Sequence, residues 1–373
     1  MRRDAAGILL RDVEIHPYAA RADCRIRHGN LVQIGRELLP APRELVMRGE
    51  GGALLPGLAD HHLHLAATAA QETSLDVSAL SRGELAAALA GADAGEDGWV
   101  RAVGHDEVAH GDLGRDTLDA YRGSVPVRVQ HRSGALWSVN SAGLARLGAH
   151  HASQEGIERD RTGRPTGRLW RADGWLRDVL GARPPSLRSL GARLACLGVT
   201  HVADATPDAE AAKAVFASAA KELARRGIRV VTQPTLVARR GDDYWERSEI
   251  GDRADLWRYG TLLRAGVRVA PSSDAPYGDL DPWACLRAAA GRRTPSGRVP
   301  GPHERLPART VLRGMLAPLD DPGGPPRRIA VGSAADLVLL DRPLTDALRA
   351  PHARHVRATL IAGRLVYCAD GPA

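Results

Sequence analysis

Residues 54–64 read Leu-Leu-Pro-Gly-Leu-Ala-Asp-His-His-Leu-His, an apolar run and a Pro-Gly pair leading into Asp60, His62 and His64 at alternate positions. In an extended segment these three project to one side, while Ala59, His61 and Leu63 project to the other. Two imidazoles at that spacing can hold one metal ion. A second segment, Val267–Gly278, is an apolar run that ends in Asp274 and continues into a loop bearing Pro276 and Gly278. The C-terminal end of a parallel strand is where an α/β barrel places its reactive groups. A turn or helix cap is the lesser alternative for Asp274 taken alone; beside a histidine pair that reading recedes further.

These residues need elements to position them. Residues 8–48 alternate apolar and polar in short runs broken by His16-Pro17 and His28-Gly29-Asn30, the texture of an antiparallel meander. Residues 329–341 and 356–367 repeat it, with Ala362-Gly363-Arg364 as a tight turn. Each β-rich end is too small to bury a face alone, so the two are expected to combine in one sandwich. Between them, apolar runs at 127–130, 199–205, 228–235 and 267–274 alternate with helical stretches, which predicts parallel βα units. The spacing of Phe216, Ala220 and Leu223 predicts a helix between Pro207 and Gly227, capped by Asp208. Residues 66–126 and 141–198 are rich in Gly and Ala and specify little by pattern, and 318–328 reads as a linker. The expected division is a composite β-sandwich from residues 1–55 plus 325–373, and an α/β domain over 56–324.

Composition narrows the function classes. At 44% hydrophobic and 25% charged, the 373 residues are those of a folded globular protein, excluding disordered, collagenous and coiled-coil chains. No run approaches a membrane span and the N-terminus lacks an apolar leader, so a cytoplasmic location and no membrane partner are expected. Cys24, Cys196, Cys285 and Cys368 lie far apart, which suggests neither a disulfide framework nor a zinc–cysteine site. The net charge of +7 is carried by scattered arginines, with only Lys213 and Lys221 as lysines, so no nucleic-acid partner is expected.

Taken together, GGALLPGLADHHLH, PVRVQHRSGALWSVNSAGL (Pro126–Leu144), DRTGRPTGRLW (Asp160–Trp170), GVTHVADATP, RVVTQPTLVARRGDDYW, APSSDAPYGDLDPW and VGSAADLVLLDRPL resemble the amidohydrolase superfamily, in its amidohydrolase-3-like branch of exocyclic C–N hydrolases. The motifs run in the expected order over most of the chain. The resemblance implies a (β/α)₈ TIM-like barrel with a small split β-sandwich and one or two divalent metals, usually zinc, at the barrel mouth. By position His62 and His64 match the first-strand ligands, and Asp274 matches the last-strand carboxylate that touches the metal and handles the proton. Gln233-Pro234 match the end of the seventh strand, near substrate. Asn140 and the Gly163–Gly167 hairpin match features that help build the pocket, with Trp137 and Tyr277 among its lining candidates. A divalent ion so held lowers the pKa of a bound water toward 7 and polarises the scissile carbonyl, and Asp274 would be the base.

One departure matters. The family places a lysine or another bridging residue at strand four and histidines at strands five and six, yet no histidine lies between His201 and His303. From Pro207 to Asp274 there are 68 residues, where five βα units of about thirty residues would need about 150, so about three central units are absent. The expected fold is therefore α/β with an incomplete or distorted barrel, because tilt, shear and strand number are linked. The remaining set, His62, His64 and Asp274, is a two-histidine, one-carboxylate site for one ion, zinc foremost, with iron chemically acceptable. His105, His131 and His201 are read as structural ahead of a third nitrogen ligand. Strand edges beside 200–206 and 228–235 need cover, which suggests a homo-oligomer. The expected function is metal-dependent hydrolysis of a C–N bond in a small amide or carbamate-like substrate, weakened by the missing ligands. The alternative is a catalytically inactive scaffold that binds a small ligand or another subunit.

Overall fold

In a computed structural model the chain is described over residues 7–181, 185–205, 220–248, 253 and 256–371. Its strands in chain order are β1 (Gly7–Ile15), β2 (Ala20–Arg27), β3 (Asn30–Gly35), β4 (Glu44–Arg48), β5 (Ala53–Pro56), β6 (Leu58–Leu63), β7 (Leu75–Asp76), β8 (Val100–His105) and β9 (Val127–His131). There follow β10 (Leu136–Val139), β11 (Ile157–Arg159), β12 (Pro165–Trp170), β13 (Val199–Asp204), β14 (Arg229–Thr232), β15 (Arg268–Pro271), β16 (Leu337–Leu340), β17 (Val356–Ile361) and β18 (Arg364–Cys368). The chain divides into two compact units, one of residues 1–65 with 187–373 and one of residues 66–186. This differs from the division expected from sequence. Residues 58–63 and 199–271 group with the terminal strands, and residues 66–186 stand apart because they possess a sheet and cores of their own.

In the first unit both ends of the chain share one eight-stranded sheet of order β18-β17-β16-β5-β1-β2-β3, with β4 also paired to β1. The sequence of β1 explains the branching. Ile8 and Leu10 alternate inward, then Val13 and Ile15 do, and the extra residue between them puts an irregularity between Leu10 and Val13, with Asp12 at φ 55°. Before it β1 runs parallel to β4, and after it parallel to β5. Leu337–Leu339 of β16 pair antiparallel with Pro56–Leu54 of β5, which joins the C-terminal strands to the N-terminal ones. Ile8, Leu10, Val13, Ile26, Leu54, Leu337 and Leu360 are buried in the resulting core.

Two short parallel pairs follow from the apolar runs: β6 with β13, and β14 with β15. The pairs meet where β6 and β15 end, through the Asp274 N–H donating to the His62 carbonyl at 2.9 Å and the His64 N–H to the Ala275 carbonyl at 2.9 Å. The strands therefore lie in the order β13-β6-β15-β14. Among the described residues no further strand pairs with the outer edge of β13 or of β14, and no closed barrel is formed. Of the helix expected over 207–227, the structure describes Ala220–Arg225, ended by Gly227 at φ 65°; Asp208 and Phe216 lie outside the described residues.

The second unit carries a six-stranded sheet of order β11-β12-β10-β9-β8-β7, in which β7, β8 and β9 are parallel and the remainder antiparallel. One core gathers Trp99, Trp137, Val139 and Leu169, and another Leu85, Leu89, Val100 and Leu118. The helix Arg82–Gly91 begins at a reciprocal cap in which Ser81 and Glu84 satisfy each other's backbone N–H.

Candidate metal centre

The site begins with β6. Leu58 and Leu63, on its two faces, are both fully buried, and its course beside β13 depends on Gly57, where a Cβ would collide with the Thr200 side chain. On one face His61 is buried, its Nε2 3.2 Å from the Gly314 carbonyl in the helix Ala308–Met315. On the other, Asp60, His62 and His64 follow the alternation expected from sequence. The Asp60 Oδ1 accepts the N–H groups of His62 at 3.2 Å and Ser273 at 3.1 Å.

The opposing wall is the turn after β15. Asp274 has a left-handed backbone, φ 54°, which a short polar side chain tolerates better than most. Its carbonyl accepts the N–H groups of Tyr277 at 2.8 Å and Gly278 at 3.0 Å, closing the turn. Gly278 is required there because a Cβ would strike the Ser273 carbonyl. The turn presents the Asp274 carboxylate to both imidazoles: Oδ1 lies 3.3 Å from Nε2 of His62 and 3.3 Å from Nε2 of His64. The two rings stand edge to face at 5.2 Å, and the His64 ring meets Tyr277 the same way at 5.3 Å.

Burial pushes the Asp274 carboxyl up, but hydrogen bonds and charge from His62 and His64 outweigh it and hold the group below its ordinary value. The hydrogen bond to Asp274 raises His62, against the opposing effect of its own partial burial. Asp60 is pushed up by burial in spite of the N–H groups it accepts.

One ligand atom from each of His62, His64 and Asp274 lies within 4.8 Å of the others. Four ligands about 2.0–2.2 Å from a tetrahedral ion stand roughly 3.3–3.6 Å apart, so the two nitrogen–oxygen separations of 3.3 Å fall at the short end of that range. The donor set, two neutral nitrogens and one carboxylate oxygen, suits a borderline divalent cation.

The remaining candidates fall elsewhere. Gln233 directly follows β14 and is half-buried, in the same unit as the metal cluster. Asn140 and Trp137 belong to the unit of residues 66–186. Asn140 is fully buried, its Oδ1 accepting from Val127 N and Gly143 N and its Nδ2 donating to the Arg122 and Val125 carbonyls. Its capacity is thus spent on backbone, and the pocket role expected of it gives way to capping the helix Ser141–Arg146. The buried Trp137 donates from Nε1 to Asp173 at 2.8 Å.

None of the three further histidines joins the cluster. His131 pairs with Glu107 at 2.6 Å, His105 faces the Gly111 carbonyl at 3.0 Å, and His201 sits between Thr200 and Arg327. Sequence reasoning gave Asp60 no role beyond its register. Its alternation with His62 and His64 was the available signal.

Known proteins place this geometry in context. The model of the amidohydrolase family matches residues 49–212 and 201–367, two segments that overlap at 201–212. Over 131 residues the chain is 31% identical to an N-substituted formamide deformylase of Arthrobacter pascens. That match covers 34% of this chain and about a quarter, 24%, of the relative. Among solved structures, an uncharacterised metal-dependent hydrolase from Pyrococcus horikoshii superposes with a TM-score of 0.67 at 16% identity, covering 90% of this chain and 97% of that one. Another from Pyrococcus furiosus gives 0.61 at 15%, covering 90% and 99%. The structural likeness concerns the fold, whereas the family match extends over most of the sequence and includes both walls of the site. The chain belongs to the amidohydrolase family.

Proposed function

We propose that the protein hydrolyses a carbon–nitrogen bond, other than a peptide bond, in a small amide or carbamate-like substrate, with one divalent cation held by His62, His64 and Asp274. Zinc is the ion proposed. The observation that carries the reading is the convergence of both Nε2 atoms on one Asp274 oxygen, across a gap of tetrahedral size. Family membership and the partial likeness to a formamide deformylase support the reaction class.

A bound cation would supply Lewis acidity toward the carbonyl and a lowered pKa for water. The chain supplies the rest. Asp274, its carboxylate favoured by the two imidazoles, accepts the proton of the attacking water and returns it to the departing nitrogen, so the leaving group departs as a neutral amine. His64 is kept in orientation by Tyr277, and Tyr277 and Gln233 are the proposed substrate contacts.

The test is metal content. Protein loaded with zinc and dialysed is expected to retain about one equivalent by elemental analysis, since three protein ligands make one open site. His62→Ala or Asp274→Ala is expected to lose it. No retention under any loading would remove the hydrolase reading and leave the non-catalytic scaffold.

A further inference from the structure

We propose that Asp60 is a positioning residue: its buried carboxylate braces the turn carrying Asp274 against the strand carrying His62 and His64, and so fixes the gap a cation would span. The inference rests on the metal reading of that site. Asp60 is 7% exposed and lies two residues before His62 on β6. A carboxylate is taken out of water only where hydrogen bonds offset the loss. The partners of Asp60 are telling: the N–H of His62, itself a ligand residue, and the N–H of Ser273, which immediately precedes the third ligand residue.

The Ser273 hydroxyl bonds the same carboxylate and accepts the Ala275 N–H at 3.1 Å. Asp274 donates its own N–H to His62, and Ala275 accepts from His64. Residues 273, 274 and 275 are thus each tied to residues 60–64, and Asp60 anchors the ladder at its inner end. Groups that orient ligands from behind commonly set affinity and geometry as firmly as the ligands do.

Cobalt(II) titration of the metal-free protein reads this directly through the d–d absorption bands and the dissociation constant, with circular dichroism as a check on folding. Asp60→Ala is expected to weaken cobalt binding about 10–100-fold and shift the bands, while Asp60→Asn, whose carbonyl oxygen still accepts both N–H groups, stays within about threefold of wild type with unshifted bands. Should Asp60→Ala fail to fold, Asp60→Ser, with a hydroxyl too short to reach Ser273, carries the same expectation.

Wild-type binding and bands in Asp60→Ala or Asp60→Ser overturn the brace. Asp60→Asn as impaired as Asp60→Ala also overturns it, since negative charge would then matter rather than the hydrogen bonds. No cobalt uptake by the wild type overturns the metal reading and the brace together.

Discussion

Asp274 shows how much one backbone conformation can decide. Its left-handed φ turns the carboxylate toward the imidazoles at the end of β6, and the ladder of hydrogen bonds between residues 273–275 and 60–64 keeps it there. Asp274→Asn preserves shape but removes the charged ligand, and is expected to weaken zinc binding by at least about tenfold in isothermal titration. Away from the site, Glu107 is drawn down to about 2, chiefly by its hydrogen bond to His131, from an ordinary 4.5. Because the native value is depressed, its contribution to stability is complete above 4.5 and is lost as pH falls toward 2. Glu107→Gln is therefore expected to flatten the acid limb of a stability profile between those values; an unchanged limb would refute the pairing. Burial pushes the Cys24 thiol up to about 12, so at pH 8 it should resist a thiol reagent that labels it rapidly once the protein is unfolded. At this scale the shared face of Asp60, His62 and His64 was legible, because alternation along a strand is a property of adjacent residues. The brace was not, since Asp60 and Ser273 are 213 positions apart and nothing local marks their contact.

Elements owe their positions here to a few close approaches. Gly57→Ala would force β6 away from Thr200, and Gly278→Ala would open the Asp274 turn. Each is expected to destabilise by about 1–3 kcal/mol in denaturant unfolding, as overpacked sites do. The second should also loosen metal binding. The terminal strands could be read from period-two patterning because one face is buried and the other wet. The β-bulge in β1 was hidden in the same pattern, visible only as the three-residue step from Leu10 to Val13. In residues 66–186 small residues blurred the periodicity, and β7, two residues long, exists through its pairing with β8 rather than through propensity. The helix Arg82–Gly91, which that patterning left unread, starts at the Ser81–Glu84 cap; Ser81→Ala is expected to cost about 1 kcal/mol.

For the whole molecule, the arc β13-β6-β15-β14 keeps the ends of β6 and β15, and with them His62, His64 and Asp274, side by side although no closed barrel exists among the described residues. The outer edges of β13 and β14 support the proposal that copies of the chain associate. Light scattering across a dilution series should show a mass above that of the 39.7 kDa chain; a monomer throughout would sink that idea.

The strand pairing of β5 with β16 has a consequence for biosynthesis. Leu54 and Leu55 leave the ribosome early, but the partner that covers them is made about 280 residues later, which at 5–20 residues per second is a delay of roughly 15–60 s. Throughout that interval β5 has β1 along one edge only and leaves the other open, so the yield of folded protein should fall when translation is slowed and rise with holdase chaperones.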